Sequence, residues 1–246
     1  MKTARFQRRF YRQWVTAKGL FRTEIGIKET DVTILTDRQI DSGFAAKRIG
    51  LYRGQIEDYI TRAPQFLTSL KPLAVELKAP RIIRQMAAAA KSAGVGPMAA
   101  VAGAVAESLG RDLLRQGAKD VIIENGGDIF LKIRRPCNIA VYSGRAKLWR
   151  GLGIRVMPRT RPMGICTSSA TIGHSLSFGK AEGVVILAKD AFLADAVATA
   201  TCNRTQDADS LEQALKFAGS IKGVFGAVIV MKGNLACFGK GFELVR

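Results

Sequence analysis

The stretch VIIENGGDIFLKI, residues 121–133, constrains the fold more strongly than any other segment of the chain. Two apolar runs rich in β-branched residues flank the polar turn Asn125-Gly126-Gly127-Asp128, which is the pattern of two strands joined by a tight turn. Such a glycine-rich segment is a simple turn in most proteins, and it also lets a ligand approach the backbone closely. The segment therefore predicts a hairpin and leaves open whether its turn binds a ligand.

Predicted strands and helices alternate without a regular order along the rest of the chain. Further strands are expected at residues 29–37, 138–144, 152–158 and 183–190, and a second hairpin at 226–239 with its turn at Gly233-Asn234. Helical spacing of apolar residues predicts helices at 42–63, 80–94, 97–116, 190–203 and 212–217. Hairpins mixed with separated helices predict an α+β fold, as one domain of residues 1–246 or as two closely joined lobes.

Residues at the ends of these helices support the boundaries. Asp41 and Asp190 are expected to cap the helices that follow them, because an aspartate side chain accepts a hydrogen bond from a backbone N–H of the first turn. Pro80 is expected as a first helical residue. Gly94 and Gly117 are expected where the second and third helices end, because glycine readily adopts the left-handed conformation found there.

Positive charge is concentrated in two regions. The formal net charge is +18, and residues 1–22 and 129–181 contain seven and ten Lys or Arg residues without any acid. An anionic partner would explain this pattern, and so would a solvated basic face. The first region is interpreted as a basic N-terminal arm that is either solvated or lies over an anionic ligand. No RNA- or DNA-binding signature accompanies it, so the sequence argues against a nucleic acid as the partner.

Neither a membrane span nor a zinc site is expected. The longest weakly polar run, residues 94–106, is too short to cross a bilayer and contains Pro97. No secretory signal pattern follows the basic start of the chain, which predicts a cytoplasmic protein. The four cysteines are dispersed without a C-x-x-C pair, and a single histidine does not complete a zinc set of the usual spacing.

Asp195 and Thr199 are the strongest candidates for metal ligands. They are four residues apart in a predicted helix, so a carboxylate and a hydroxyl share one helix face among small alanines. These are hard oxygen ligands of the kind that Mg²⁺ takes, and Mg²⁺ completes its shell with water and substrate phosphate. Two other interpretations stay open: Thr199 bonds back to the Asp195 carbonyl, or Asp195 is simply solvated.

The uncharged loop GICTSSATIGHSLSFG, residues 164–179, holds a second group of candidates. His174, the only histidine, follows Ser168 and Ser169 closely, as a base and a nucleophile would. The chain has no G-x-S-x-G elbow, however, and neighbouring hydroxyls are commonly turn residues. A loop of this kind can also hydrogen-bond a phosphate or a ring nitrogen without covalent chemistry.

In their order along the chain, these motifs resemble the ApbE-like FAD:protein FMN transferases and, more closely, a cytoplasmic branch related to them. Members show a glycine-containing helix start, a strand ending in N-x-G-G-[DN], a T-S-G turn followed by a histidine, and a late A-D-A-x-x-T helix. The counterparts are residues 95–107, Asn125 to Asp128, Thr167-Ser168-Ser169 with His174, and Ala194-Asp195-Ala196 with Thr199.

The resemblance implies a T-fold-like α+β architecture and a site for FAD or FMN with Mg²⁺. It implies that Asp195, Thr199 and a backbone carbonyl near Val101 bind the metal, and that Asp195 and His174 are catalytic. The implied flavin-binding residues are Asn125, Gly126, Gly127, Asp128, Thr167, Ser168 and Ser169.

Three activities follow from the resemblance and the charge. The first is Mg²⁺-dependent transfer of FMN from FAD to a Thr or Ser of an acceptor protein, or hydrolysis of the FAD pyrophosphate. The second is binding of flavin or another anionic small molecule without catalysis, and the third is association with nucleic acid.

The chain departs from the transferase pattern at two places. The transferases carry K-G at the helix start, where this chain has Ala102-Gly103, and they follow the histidine with D-P-x-T-G, which is absent after His174. These departures argue more strongly against FMN transfer than against nucleotide binding.

Overall fold

The structure is a computed structural model and describes residues 19–141, 151–170 and 178–245. The strands are β1 (Phe21–Ile27), β2 (Thr30–Thr36), β3 (Val121–Asn125), β4 (Asp128–Lys132), β5 (Cys137–Ala140), β6 (Gly153–Val156), β7 (Met163–Ser168), β8 (Gly183–Ala188), β9 (Val224–Met231), β10 (Asn234–Gly239) and β11 (Phe242–Val245). The helices are α1 (Ser42–Arg62), α2 (Gln65–Thr68), α3 (Arg81–Ala93), α4 (Val101–Arg115), α5 (Ala191–Arg204) and α6 (Leu211–Ser220), with a 3-10 turn at Pro97–Ala100.

Eight of the described strands form one sheet in the order β1-β2-β3-β4-β7-β8-β9-β10, and every neighbouring pair in it is antiparallel. A second sheet has the order β11-β6-β5. Antiparallel sheets packed with separate helices confirm the predicted α+β class. The predicted hairpin at 121–133 is also confirmed, as β3 and β4.

Each face of the large sheet covers its own hydrophobic core. Ile123 and Phe130 pack toward the helices, whereas their neighbours Ile122 and Leu131 pack toward the small sheet. This division follows from the two-residue period of a strand, which sends successive side chains to opposite faces. The result is three layers, with helices on one face of the large sheet and the small sheet on the other.

The predicted helix caps are confirmed. The Asp41 side chain accepts a hydrogen bond from the Gly43 N–H at 2.8 Å, and the Asp190 side chain accepts one from the Leu193 N–H at 2.8 Å. Gly94 follows α3 with φ +72°, in the left-handed conformation that glycine adopts without strain. These local signals mark the start of α1, the start of α5 and the end of α3.

Several boundaries differ from the prediction, and three of these differences concern a proline, a 3-10 turn and a hairpin turn. Pro80 has an extended ψ of 147° and precedes α3, so it caps that helix from outside instead of opening it. The helix expected at 97–116 begins as the 3-10 turn, and α4 starts only at Val101. The last hairpin turns at Lys232-Gly233, whose φ values are 47° and 81°, so that Asn234 already pairs with Met231 in the strands.

Strand β1 was not predicted from the sequence. It lies at the edge of the large sheet and is half-exposed along its length, so it lacks the apolar pattern of a buried strand. Phe21 and Arg22, assigned to the basic arm by charge, are its first two residues. The pairing with β2 determines its conformation.

Among the described residues, no single helix is long and apolar enough to cross a membrane. The segments Arg81–Ala93 and Pro97–Arg115 meet the length and composition criteria only as a pair, and they are bent by 104° relative to each other.

Candidate functional site

The start of α4 is the point where the candidate residues converge. The Asn125 Nδ2 donates a hydrogen bond to the Ala102 carbonyl at 3.0 Å, which ties the β3–β4 turn to this helix end. From the other side, the Gly103 N–H donates to Asp195 Oδ2 at 2.9 Å, which ties α5 to the same end. Residues 23 and 92 positions away in sequence are therefore fixed around one turn of backbone.

Gly103 makes this convergence possible. A β-carbon at this position would overlap the Ala191 carbonyl oxygen and lie 2.9 Å from the Asp195 β-carbon. Only a glycine lets α4 and α5 approach so closely. The Ala102-Gly103 sequence, noted above as a departure from the K-G pattern, thus retains the glycine that the packing requires.

Asp195 is buried, with 9% of its surface exposed. Burial raises the pKa of Asp195 to about 7, and hydrogen bonds from the Gly103 and Ala102 N–H groups act in the opposite direction. An anion at a helix start is favourable, because the first N–H groups of a helix have no partner within it. The solvated Asp195 that the sequence left open is therefore not what the structure shows.

Asp128 is a second buried carboxyl on the same side of the sheet. It is 7% exposed, and its pKa is raised well above the ordinary value. The larger cause is burial, and the second is the negative charge of Asp195. The Thr167 N–H donates a hydrogen bond to the carboxyl group from the neighbouring strand β7, in which Cys166 lies opposite Asp128 and donates its thiol proton to the Ala191 carbonyl. The structure thus brings the sheet carboxyl and the helix carboxyl into electrostatic contact.

Thr199 and Val101 lie next to these groups along their helices. Thr199 is half-buried one turn after Asp195, and Val101 is the half-buried first residue of α4. The Thr199 hydroxyl makes no hydrogen bond to another described residue, so the bond back to the Asp195 carbonyl is not formed. Their roles as metal ligands stay predictions from the resemblance.

The glycine turn has a conformation that its sequence requires. Gly126 and Gly127 have φ values of 70° and 104°, which residues with side chains rarely adopt. The Gly127 N–H donates to Glu124 Oε1 at 2.8 Å, so this group is already engaged within the turn. A β-carbon on Gly127 would lie 4.0 Å from the Thr167 β-carbon, which places the turn beside the end of β7.

The hydroxyl residues after Thr167 have different environments. Ser168 is buried, whereas the Ser169 hydroxyl donates to the Glu182 carbonyl at 2.7 Å and thereby ties β7 to the start of β8. His174 lies outside the described residues, as does the rest of 171–177.

Glu107 is a structural part of the site that the sequence analysis missed. It is 1% exposed, and its carboxylate accepts hydrogen bonds from the Ala191 N–H at 2.8 Å and from Arg111 Nε at 2.6 Å. It therefore holds the first residue of α5, and through it the helix that carries Asp195. The spacing of a glutamate four residues before an arginine predicts their ion pair within α4, but not the bond from Ala191.

The basic residues of 132–161 that the structure describes are held at the surface. Lys132 Nζ donates to the Arg159 and Thr160 carbonyls at 2.7 Å, and Arg134 forms ion pairs with Asp37 and Asp120. The Arg159 guanidinium lies 4.0 Å from the centre of the Phe225 ring. Arg145, Lys147 and Arg150 lie outside the described residues.

Within the described ranges, no three His, Cys, Asp or Glu side chains are close enough together to hold a metal ion. Hydrogen bonds and charge bring together the Asp195 and Asp128 carboxyls and the Ala102 carbonyl. Oxygen donors are the ligands that Mg²⁺ prefers, and Mg²⁺ uses few protein ligands and keeps several waters or phosphate oxygens.

Comparison with known proteins identifies the family. The family model described as "AbpE bacteria" matches residues 12–236, which include every candidate residue described above. The chain belongs to this family. The T-fold-like, ApbE-type resemblance drawn from the motifs is thereby confirmed.

Two curated relatives of this AbpE-family chain come from methanogenic archaea. A UPF0280 protein of Methanocaldococcus jannaschii is 42% identical over 92% of this chain and 93% of its own length. A UPF0280 protein of Methanocella arvoryzae is 39% identical over 89% of both chains.

Solved structures show the same fold at much lower identity. The flavinyl transferase ApbE of Pseudomonas stutzeri, in its apo form, has a TM-score of 0.61 at 14% identity, over 89% of this chain and 94% of that one. The flavin transferase ApbE of Vibrio cholerae has a TM-score of 0.59 at 13% identity, over 92% and 96%. These two flavin transferases therefore share the fold of this chain.

Proposed function

We propose that this AbpE-family protein binds a flavin dinucleotide where the start of α4 meets the β3–β4 turn, and cleaves its pyrophosphate with the help of Mg²⁺. A hydroxyl oxygen forms a new bond to the FMN phosphorus, the bond to the AMP phosphate oxygen breaks, and the hydroxyl proton is released. The hydroxyl belongs to a Thr or Ser of an acceptor protein or to water. The observation that carries this proposal is the buried Asp195 carboxylate, fixed at the start of α4 among oxygen donors.

The residues present fit a magnesium ion. Asp195 and Thr199 offer a carboxylate and a hydroxyl on successive turns of α5, and Val101 offers a carbonyl at the start of α4. When bound, Mg²⁺ supplies neutralisation of the charge that develops on the pyrophosphate oxygens. The protein contributes a rigid frame, because Gly103 and Glu107 fix the two helices against each other.

The turn and the end of β7 are proposed as the flavin-nucleotide side of the site. Gly126 has no side chain and a β-carbon there would meet nothing within 4 Å, so a ligand can approach its backbone. Asn125 holds the Ala102 peptide, while Thr167 and Ser168 stand beside the turn at the end of β7. His174 stays the sequence-based candidate for the base that takes the hydroxyl proton.

The missing lysine at position 102 is the main difference from the transferases. Arg155, a cation of the basic region 129–181, is exposed on β6, and its neighbours Ile154 and Val156 are the ones that face the large sheet. It therefore lies on the outer surface of the small sheet and does not reach the start of α4. We propose that phosphate charge is met by Mg²⁺ instead.

The test is to incubate the purified protein with FAD and Mg²⁺ and to measure AMP and FMN by mass spectrometry. Wild type should release AMP, and Asp195→Ala should lose this activity. Running the reaction in ¹⁸O-labelled water separates the two outcomes, because hydrolysis incorporates the label into a product phosphate and transfer to a protein hydroxyl does not. Flavin that is retained without AMP release would favour the non-catalytic binding protein. The absence of both AMP release and flavin binding would refute the proposal.

A further inference from the structure

Asp128 Oδ1 is an unusual atom in this structure. It is buried and has no hydrogen-bond partner among the described residues, although its carboxyl group accepts a bond from the Thr167 N–H. A buried acceptor without a partner is costly, and a buried charge more so. The structure therefore leaves a strong oxygen donor unused inside the protein.

The position of Asp128 directs this donor toward the start of α4. Asp128 is opposite Asn125 in the hairpin, and the Asn125 side chain reaches the Ala102 carbonyl. It is also opposite Cys166, whose sulfur lies 3.5 Å from the carbonyl oxygen of Ala191 in the first turn of α5. Asp195 follows Ala191 by one helical turn and is bonded to Gly103, so Asp128 is enclosed by the same elements that hold Asp195.

No positive side chain balances the two carboxyls in the described part of the chain. Neither Asp128 nor Asp195 forms an ion pair there, whereas the buried Asp112 near the other end of α4 pairs with Arg48 and Arg115. Two buried carboxyls that repel each other without a cation destabilise the fold. A divalent cation between them would remove that repulsion and satisfy Asp128 Oδ1.

We propose that Asp128 and Asp195 hold one hard divalent cation together, with Asp128 as the ligand supplied by the sheet and Asp195 as the ligand supplied by α5. This second proposal rests on the proposed function. It adds Asp128 to the metal ligands, whereas the family motifs assign that residue to flavin binding. It also makes cation binding a property of the protein alone, before any nucleotide is present. Mg²⁺ fits best, since all the donors are oxygens.

The experiment uses the full chain, stripped of metal with EDTA and free of FAD, titrated with Mg²⁺ while thermal unfolding is followed. Asp128→Asn keeps the shape of the side chain and removes its charge. In EDTA this variant should unfold at a higher temperature than wild type, because the buried repulsion is gone. Added Mg²⁺ should raise the midpoint of wild type clearly and that of the variant much less, with an apparent Mg²⁺ affinity at least about tenfold weaker.

Asp112→Asn is the matched control, since it also neutralises a buried carboxyl of the helix layer. It should lower stability in EDTA and keep the wild-type response to Mg²⁺. The inference is overturned if Asp128→Asn responds to Mg²⁺ like wild type, or if wild type does not respond. AMP release from FAD by wild type separates the two proposals, because its failure with an intact Mg²⁺ response would overturn only the proposed function.

Discussion

At the scale of single residues, the site depends on a glycine as much as on its carboxylates. Gly103 allows α5 to approach α4, and this contact lets a short aspartate side chain reach the Gly103 N–H at 2.9 Å. The sequence motif identified Asp195 as a candidate. It did not indicate that Asp195 would cap another helix, because that contact joins residues 92 positions apart.

We predict that Gly103→Ala lowers the free energy of unfolding by about 1–3 kcal/mol, because its β-carbon would overlap the Ala191 carbonyl and force the helices apart. The measurement is urea unfolding of the variant beside Gly50→Ala. Gly50 is an exposed residue of α1, and a β-carbon there would meet nothing within 4 Å. The control should therefore be neutral or up to about 1 kcal/mol more stable. Equal stability of the two variants would show that the helices do not need this contact.

At the scale of elements, local signals predicted what local interactions determine. Asp41, Asp190 and Gly94 mark helix ends because their effects act within one turn, and the glycine turn marks the hairpin for the same reason. Strand β1 escaped prediction because its conformation depends on pairing with β2 at the sheet edge. The turn at Lys232-Gly233 was misplaced by one residue because a lysine there adopts a positive φ.

The junction of α4 and α5 gives a prediction for pH. Burial raises the pKa of Glu107 above its ordinary value, in spite of the bonds from the Ala191 N–H and Arg111. The folded protein therefore holds this proton more tightly than the unfolded chain, and Glu107 contributes progressively less stability as pH rises above about 4.5 and toward its folded pKa.

Glu107→Gln keeps an acceptor for the Ala191 N–H and cannot ionise. The unfolding free energy of wild type minus that of Glu107→Gln should therefore fall as pH rises from about 4 toward neutrality. Urea unfolding of both proteins across this range measures the difference. A difference that stays constant or grows with pH would contradict the assigned pKa direction.

At the scale of the whole molecule, the large sheet is shared by two hydrophobic cores. We propose that both cores unfold together, as expected for one domain. Leu109→Ala in the helix-side core and Ile154→Ala in the core beneath the small sheet each remove a fully buried side chain. Each substitution should lower the free energy of unfolding by about 2–5 kcal/mol, and both should act on the same single transition. Two separate transitions, each sensitive to one variant, would indicate two lobes.

The same scale explains which parts of the site the sequence revealed. Short motifs named Asn125, Asp128, Thr167 and Asp195 as parts of one site, and the structure places them around the start of α4 and the adjoining turn, while their binding roles stay predictions. The roles of Glu107 and of the Asp128 oxygen depend on how the sheet and two helices pack, and no local pattern encodes that. The cytoplasmic location stays a prediction.

The account depends most on Asp195 acting through Mg²⁺ on FAD. The most direct measurement is AMP release from FAD by EDTA-treated protein as Mg²⁺ is added back, for wild type, Asp195→Asn and the exposed-carboxylate control Asp58→Asn. The account predicts Mg²⁺-dependent AMP release by wild type and by the Asp58 control, and a loss of at least about a hundredfold in Asp195→Asn. Mg²⁺-independent release, or release by Asp195→Asn at the wild-type rate, would contradict it.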